Sequence, residues 1–138
     1  MLSRLTIAAV LCAFPLTMCC CSGSSKVAYA RAYPAKAQAE SVDVQVRREE
    51  TTITVVNTSS RAFPESTLWL NAQFSKPIAP LAVGQTATYD LWAFRNEFSE
   101  PFRAGGFFAT ERPDVIVLAQ IELENEMLGL VVVKGTER

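Results

Sequence analysis

From Ser41 onward the chain alternates. Val42, Val44 and Val46 are separated by Asp43, Gln45 and Arg47, so apolar and polar side chains fall on opposite sides of an extended backbone. Thr51 to Asn57 (TTITVVN) is rich in β-branched residues and places Ile53 and Val55 on one face. Thr67 to Phe74 (TLWLNAQF) puts Leu68, Leu70, Ala72 and Phe74 on one side and Trp69 on the other. Thr86 to Phe94 (TATYDLWAF) sets Ala87, Tyr89, Leu91 and Ala93 against Thr88, Asp90, Trp92 and Phe94. Phe107 to Thr110 reads as a short strand, Asp114 to Leu123 as a central one and Leu128 to Lys134 as its return. Asn57 to Ser60, Lys76 to Pro80, Val83 to Gln85, Pro113 and Glu124 to Glu126 punctuate the pattern with turn-forming residues. Lys76 to Pro80 is expected to interrupt pairing, because proline donates no amide hydrogen. Residues 95 to 104 read as a long ordered loop. No helical period competes. About six or seven strands at spacings of about ten residues predict an all-β sandwich or barrel over 41–134.

The first 40 residues obey different rules. Met1 to Arg4 carries one positive charge, and Leu5 to Leu16 (LTIAAVLCAFPL) is an apolar run. A bilayer span needs about 20 apolar residues; this run suits the apolar region of a signal peptide instead. Cys19, Cys20 and Cys21 follow it, and Cys12 is the only other cysteine. Residues 22–40 (SGSSKVAYARAYPAKAQAE) contain few large apolar side chains and predict a flexible linker, which as a coil reaches about 25 Å. Residues 135–138 predict a frayed tail.

Composition removes whole classes of chemistry. The chain has no histidine, so Ser-His and Cys-His nucleophile pairs and histidine metal sites are excluded. With no cysteine after Cys21, the domain has no disulfide, thiolate metal site or cysteine nucleophile. The 13 basic and 14 acidic side chains nearly cancel, and no basic stripe points to nucleic acid. No cofactor and no metal are expected.

A cysteine after an apolar run, followed by Ser and Gly, resembles the lipobox of bacterial lipoproteins. In that family the chain is cut before the cysteine, whose thiol carries a diacylglycerol. Met18 is bulky where the family has Gly or Ala ahead of Cys19, whereas Cys20 and Cys21 are each preceded by a small cysteine. Cys21 fits best, then Cys20, then Cys19. The alternatives are an ordinary cleaved signal, with Ala28-Tyr29-Ala30 or Ala35-Lys36-Ala37 as the cut site, and an uncleaved anchor. The run PIAPLAVGQTATYDL resembles the turn into a strand of small immunoglobulin-like sandwiches on bacterial surface proteins. Residues 41–134 also resemble uncharacterised lipoproteins of planctomycete-like bacteria. The resemblance implies an exported, lipid-anchored protein of the cell envelope, facing the periplasm or the outside. It brings no activity.

Phe94, Phe98, Phe102, Phe107 and Phe108 crowd one stretch beside Arg103 and Gly105-Gly106. Either they form an exposed binding patch with Trp69 and Trp92, or the loop folds over the open end of the sandwich and the rings complete the core. The small size of the domain favours the second for the phenylalanines, and puts both tryptophans under the same loop. Glu97 and Glu100 flank Phe98 in the long loop and could serve as the acid and base of a carboxylate hydrolase, though solvated loop charges are the plainer reading. The expected function is a non-enzymatic envelope lipoprotein that binds or scaffolds another envelope protein. A carbohydrate- or small-ligand-binding sandwich is the alternative, and a carboxylate hydrolase the second alternative.

Overall fold

The computed structural model describes residues 27–134; the apolar run, the cysteine cluster, residues 22–26 and the tail lie outside the described residues. Seven strands form one mixed sheet curled into a half-barrel: β1 (Gln38–Glu49), β2 (Thr52–Asn57), β3 (Ser66–Leu70), β4 (Phe74–Ile78), β5 (Thr86–Asp90), β6 (Ala119–Glu122) and β7 (Met127–Val133). Their order is β4-β3-β6-β7-β1-β2-β5. All neighbours are antiparallel except β1 and β7. β1 serves two partners. Gln38, Glu40 and Ser41 pair with the start of β7, the register then shifts, and Gln45 to Arg47 pair with Val131 to Val133, while Val44 to Glu49 pair with β2 on the other edge. The irregularity lets one long strand bend between the two halves of the sheet.

The alternation seen from Ser41 sets the inner face. Val44 and Val46 of β1, Ile53 and Val55 of β2, Leu68 and Leu70 of β3, Ile121 of β6 and Leu128 of β7 are all buried in one cluster. Asn57 ends β2 fully buried; its amide donates to the carbonyls of Arg61 and Ala82 at 2.8 and 3.1 Å. A buried amide needs such partners.

Several expected strand boundaries move, each for a local reason. Thr67 to Phe74 is two strands, because Asn71 and Ala72 both adopt a φ of 53° and turn the chain between Leu70 and Phe74. The apolar period runs through this turn without a glycine to mark it. Lys76-Pro77-Ile78 pairs with β3, contrary to the expected interruption. β4 is an edge strand, where a missing amide hydrogen does no harm. Thr86 to Phe94 ends as a strand at Asp90, whose carboxylate accepts the Trp92 amide at 2.9 Å and caps a 3-10 turn, Leu91–Ala93. That turn rotates Phe94 inward. Asp114 to Leu118 stays outside the sheet because the Asn71 side chain binds it: its amide donates to Val115 O, and its oxygen accepts from Val117 and Leu118 N. Phe107 to Thr110 is an exposed turn, closed by Ala109 N donating to Gly106 O at 3.0 Å.

Candidate functional site: an apolar end and a docked N-terminal arm

The strand directions collect the β1–β2 turn, the Asn71-Ala72 turn and the whole of residues 91–118 at one end of the half-barrel. The β2–β3 connection and the β6–β7 turn lie at the other. Six large exposed hydrophobic residues stand at the first end: Trp92, Phe98, Phe107, Phe108, Val115 and Val117. Phe107 is 95% exposed, Phe108 90% and Phe98 73%, whereas Phe94 and Phe102 from the same stretch are 0% exposed. The expected lid over the core is therefore only half correct. Phe94 and Phe102 enter the core, Phe102 meeting Phe74 edge-on at 5.2 Å, while the other three rings point into water.

Local bonds hold those rings out. The buried Asn96 side chain accepts the amides of Phe98 and Glu100 at 3.0 and 2.9 Å and donates to the Glu100 carboxylate at 2.7 Å. This closes a tight turn, with Ser99 at a φ of 67°, that carries Phe98 on its outside. Glu100 is thus spent on its own loop. The second loop is clipped at its base. Arg103 pairs with Asp114 at 3.0 Å and Glu111 at 3.4 Å, and Asp114 N donates to Arg103 O at 2.9 Å. Beneath it, the Arg48 guanidinium donates to the carbonyls of Ala104 and Asp114. Gly105 and Gly106, at φ of 81° and 121°, then turn the chain so that Phe107 and Phe108 form its tip, ring on ring at 5.0 Å. An open groove of about 520 Å³ lies between the loops, lined by Asn71, Asn96, Glu100, Arg103 and Asp114, whose polar groups are engaged as described.

Trp69 lies on the outer face of the sheet and is fully buried. Contrary to the expectation from sequence, the loop 94–108 does not cover it; the N-terminal segment does. Residues 27–37, read from sequence as part of the flexible linker, lie along β3 and β6 as an arm. Val27 N donates to Ser99 Oγ at 3.0 Å, and Tyr29 OH to Ala93 O at 2.5 Å. The Arg31 guanidinium sits 5.2 Å from the Trp69 ring centre, and Tyr33 meets the same ring edge-on at 5.2 Å. Tyr33 OH donates to Gln120 at 2.7 Å. β1 then begins at Gln38, whose side chain crosses Gly129 to accept from Gln120 at 2.9 Å; a Cβ at Gly129 would lie 2.4 Å from Gln38 Nε2. The arm lacks large aliphatic residues, which is why its composition reads as disorder. Its signal is the spacing of Tyr29, Arg31 and Tyr33, a period of two that faces one side.

Glu122 is the centre of this contact. It accepts from Trp69 Nε1 at 2.8 Å, Arg31 at 2.5 Å and Lys36 at 3.0 Å, and Lys36 also reaches the carbonyls of Leu123 and Glu124. Burial raises its carboxyl pKa, but the hydrogen bonds from Trp69, Lys36 and Arg31, with the Arg31 charge, outweigh this and hold it below its ordinary value of 4.5. A carboxylate held low stabilises the fold in its ionised form. The contribution is complete above 4.5 and is lost as pH falls through the lowered value. Acidification across that window is expected to release the arm: amides of residues 27–37 exchange faster in hydrogen exchange while those of β2 stay protected.

Trp92 is 41% exposed at the apolar end, whereas Trp69 is buried beneath Arg31 and Tyr33, so the two tryptophans do not form one exposed platform. Arg103 is exposed and paired within its loop. Among the described residues no group of three His, Cys, Asp or Glu side chains could hold a metal ion, and no helix is long and apolar enough to cross a membrane. Compared with protein-family models, curated proteins and solved structures, the chain has no significant match.

Proposed function

We propose that this chain is a non-enzymatic envelope lipoprotein, acylated at one of Cys19, Cys20 and Cys21, whose β-domain is held at a membrane and acts as an interaction or scaffolding module. The apolar run that precedes the cysteines, and their isolation from any other cysteine in the domain, support acylation. The observation that carries the binding role is the apolar end: Phe98, Phe107 and Phe108 are held out in water by a network of local bonds. Monomeric domains rarely keep such surfaces without an occupant. The resemblance to planctomycete-like lipoproteins belongs to the same reading.

An immunoglobulin-like sandwich is the finer reading of the fold. It draws support from the strand order, in which β5-β2-β1 and β4-β3-β6-β7 correspond to the two sheets of that fold, joined here along β1. Sugar stacking on Trp69 would require the arm to lift, since that ring is buried beneath Arg31 and Tyr33.

Substituting Cys19, Cys20 and Cys21 by Ser together is expected to move the protein from carbonate-washed membranes into the soluble fraction. Acyl chains contribute about 0.8 kcal/mol per buried methylene, and several chains anchor stably. Retention of the triple variant in washed membranes would overturn the lipoprotein reading.

A further inference from the structure

We infer that the bilayer itself covers the apolar end, so that Phe98, Phe107 and Phe108 rest in the membrane interface and the β6–β7 turn points away from it. The inference rests on the lipid-anchored reading and names what that reading leaves open, the occupant of the exposed rings.

The argument is one of reach. The arm starts at Val27, bonded to Ser99 in the turn that presents Phe98. Only residues 22–26 separate Val27 from Cys21. Six Cα steps span at most about 20 Å, and an anchor at Cys19 adds only two more. The strand β1 alone has 12 residues and runs about 40 Å from the far end to this one. An acylated cysteine therefore cannot hold the far end at the membrane while the arm is docked. It brings the end with the exposed rings there. As a free coil, the linker would have left the domain's orientation undetermined; the docked arm shortens the tether and selects one end.

The surface at that end suits a lipid interface. Its rings project from two separate clipped loops, as protruding tips rather than the walls of a groove. Aromatic side chains favour the headgroup boundary of a bilayer. Because the loops are already ordered by Asn96, Arg103 and Asp114, little freedom is lost when they enter it. The tether also keeps the tips at high effective concentration near lipid, so a modest apolar contact is enough.

The test is hydrogen exchange on the full acylated chain in protein-free vesicles of phosphatidylethanolamine and phosphatidylglycerol, against its Cys19→Ser/Cys20→Ser/Cys21→Ser form in solution. Acylation is verified by intact mass. Amides of residues 97–99 and 105–110 should exchange about tenfold more slowly on vesicles, while residues 58–62 and 123–126 stay unchanged. Phe107→Ser/Phe108→Ser should abolish the slowing at 105–110 with acylation and vesicle binding intact; both side chains are almost fully exposed, so the fold survives. An acylated, vesicle-bound chain with no slowing at these loops overturns the inference and leaves the lipoprotein reading standing. Slowing that arises only in native membranes, never in protein-free vesicles, assigns the end to a protein partner and also overturns it. A chain without acyl mass overturns both.

Discussion

Phe102→Ala lowers the stability of the domain by about 3–5 kcal/mol, and Phe108→Ala, six residues on, changes it by less than about 0.5 kcal/mol. Phe102 is fully buried. Its ring packs edge-on against Phe74, with the Arg48 guanidinium 5.9 Å from its centre, and its amide donates to Phe94 O at 3.0 Å. Truncation removes the ring and leaves a cavity between the sheet and residues 91–104. Phe108 is 90% exposed and its ring contact is with the equally exposed Phe107. Urea unfolding followed by circular dichroism measures both changes. Equal losses in the two variants would mean that the tip of the loop packs on the domain and is not held out in water. A small domain has a total stability of about 5–15 kcal/mol, so the Phe102 variant loses a large share of it.

Trp69→Ala is expected to cost a similar amount, about 3–5 kcal/mol, and to have a second effect that Phe102→Ala lacks. Trp69 sits outside the main core, between the sheet and the arm, and serves three of the arm's contacts. Arg31 stacks on it, Tyr33 meets its edge, and its indole nitrogen helps hold Glu122, the acceptor for Arg31 and Lys36. Without the ring, residues 27–37 lose their platform. Limited proteolysis should cut the Trp69→Ala protein after Arg31 or Lys36 much faster than wild type, with the rest of the domain still resistant under mild conditions. Trp69→Phe keeps most of the packing but removes the donor to Glu122, and costs about 1–3 kcal/mol. A Trp69→Ala protein whose arm remains protected would show that the ion pairs alone hold the arm.

The strand content was legible from Ser41 onward because inward and outward residues alternate with little interruption. Val44, Val46, Ile53, Val55 and Leu68 are buried where the period places them. The failures sit where one side chain redirects the backbone. Asp90 caps a 3-10 turn that ends β5 early, and Asn71 both turns the chain and occupies the amides of Val117 and Leu118. Period-two reasoning treats such residues as outward-facing polar positions. It has no means of seeing bonds made to backbone 46 residues away, the separation between Asn71 and Val117.

The candidate site divides in the same way. Its phenylalanines were visible as a crowded stretch, but five rings in one composition gave no way to sort Phe94 and Phe102 from Phe98, Phe107 and Phe108. Local chemistry sorts them. A 3-10 turn rolls Phe94 in, and the Asn96 turn and the Arg103–Asp114 clip push the others out. The arm was missed for the opposite reason. Tyr29, Arg31, Tyr33 and Lys36 are unremarkable singly, and their partners Trp69, Ala93, Gln120 and Glu122 lie 36 to 91 residues away along the chain.

By itself, the sequence determined that the domain is built of β-strands, which residues line its inner face, and that no histidine or cysteine chemistry operates within it. Those follow from period and composition, which act locally. The tertiary structure decided that β1 joins both halves of one sheet, that residues 27–37 lie on its outer face over Trp69, and that three of the five clustered phenylalanines stay in water at the end where the arm begins. These depend on side chains that meet only after the strands have paired, because register and curvature choose the neighbours of each residue.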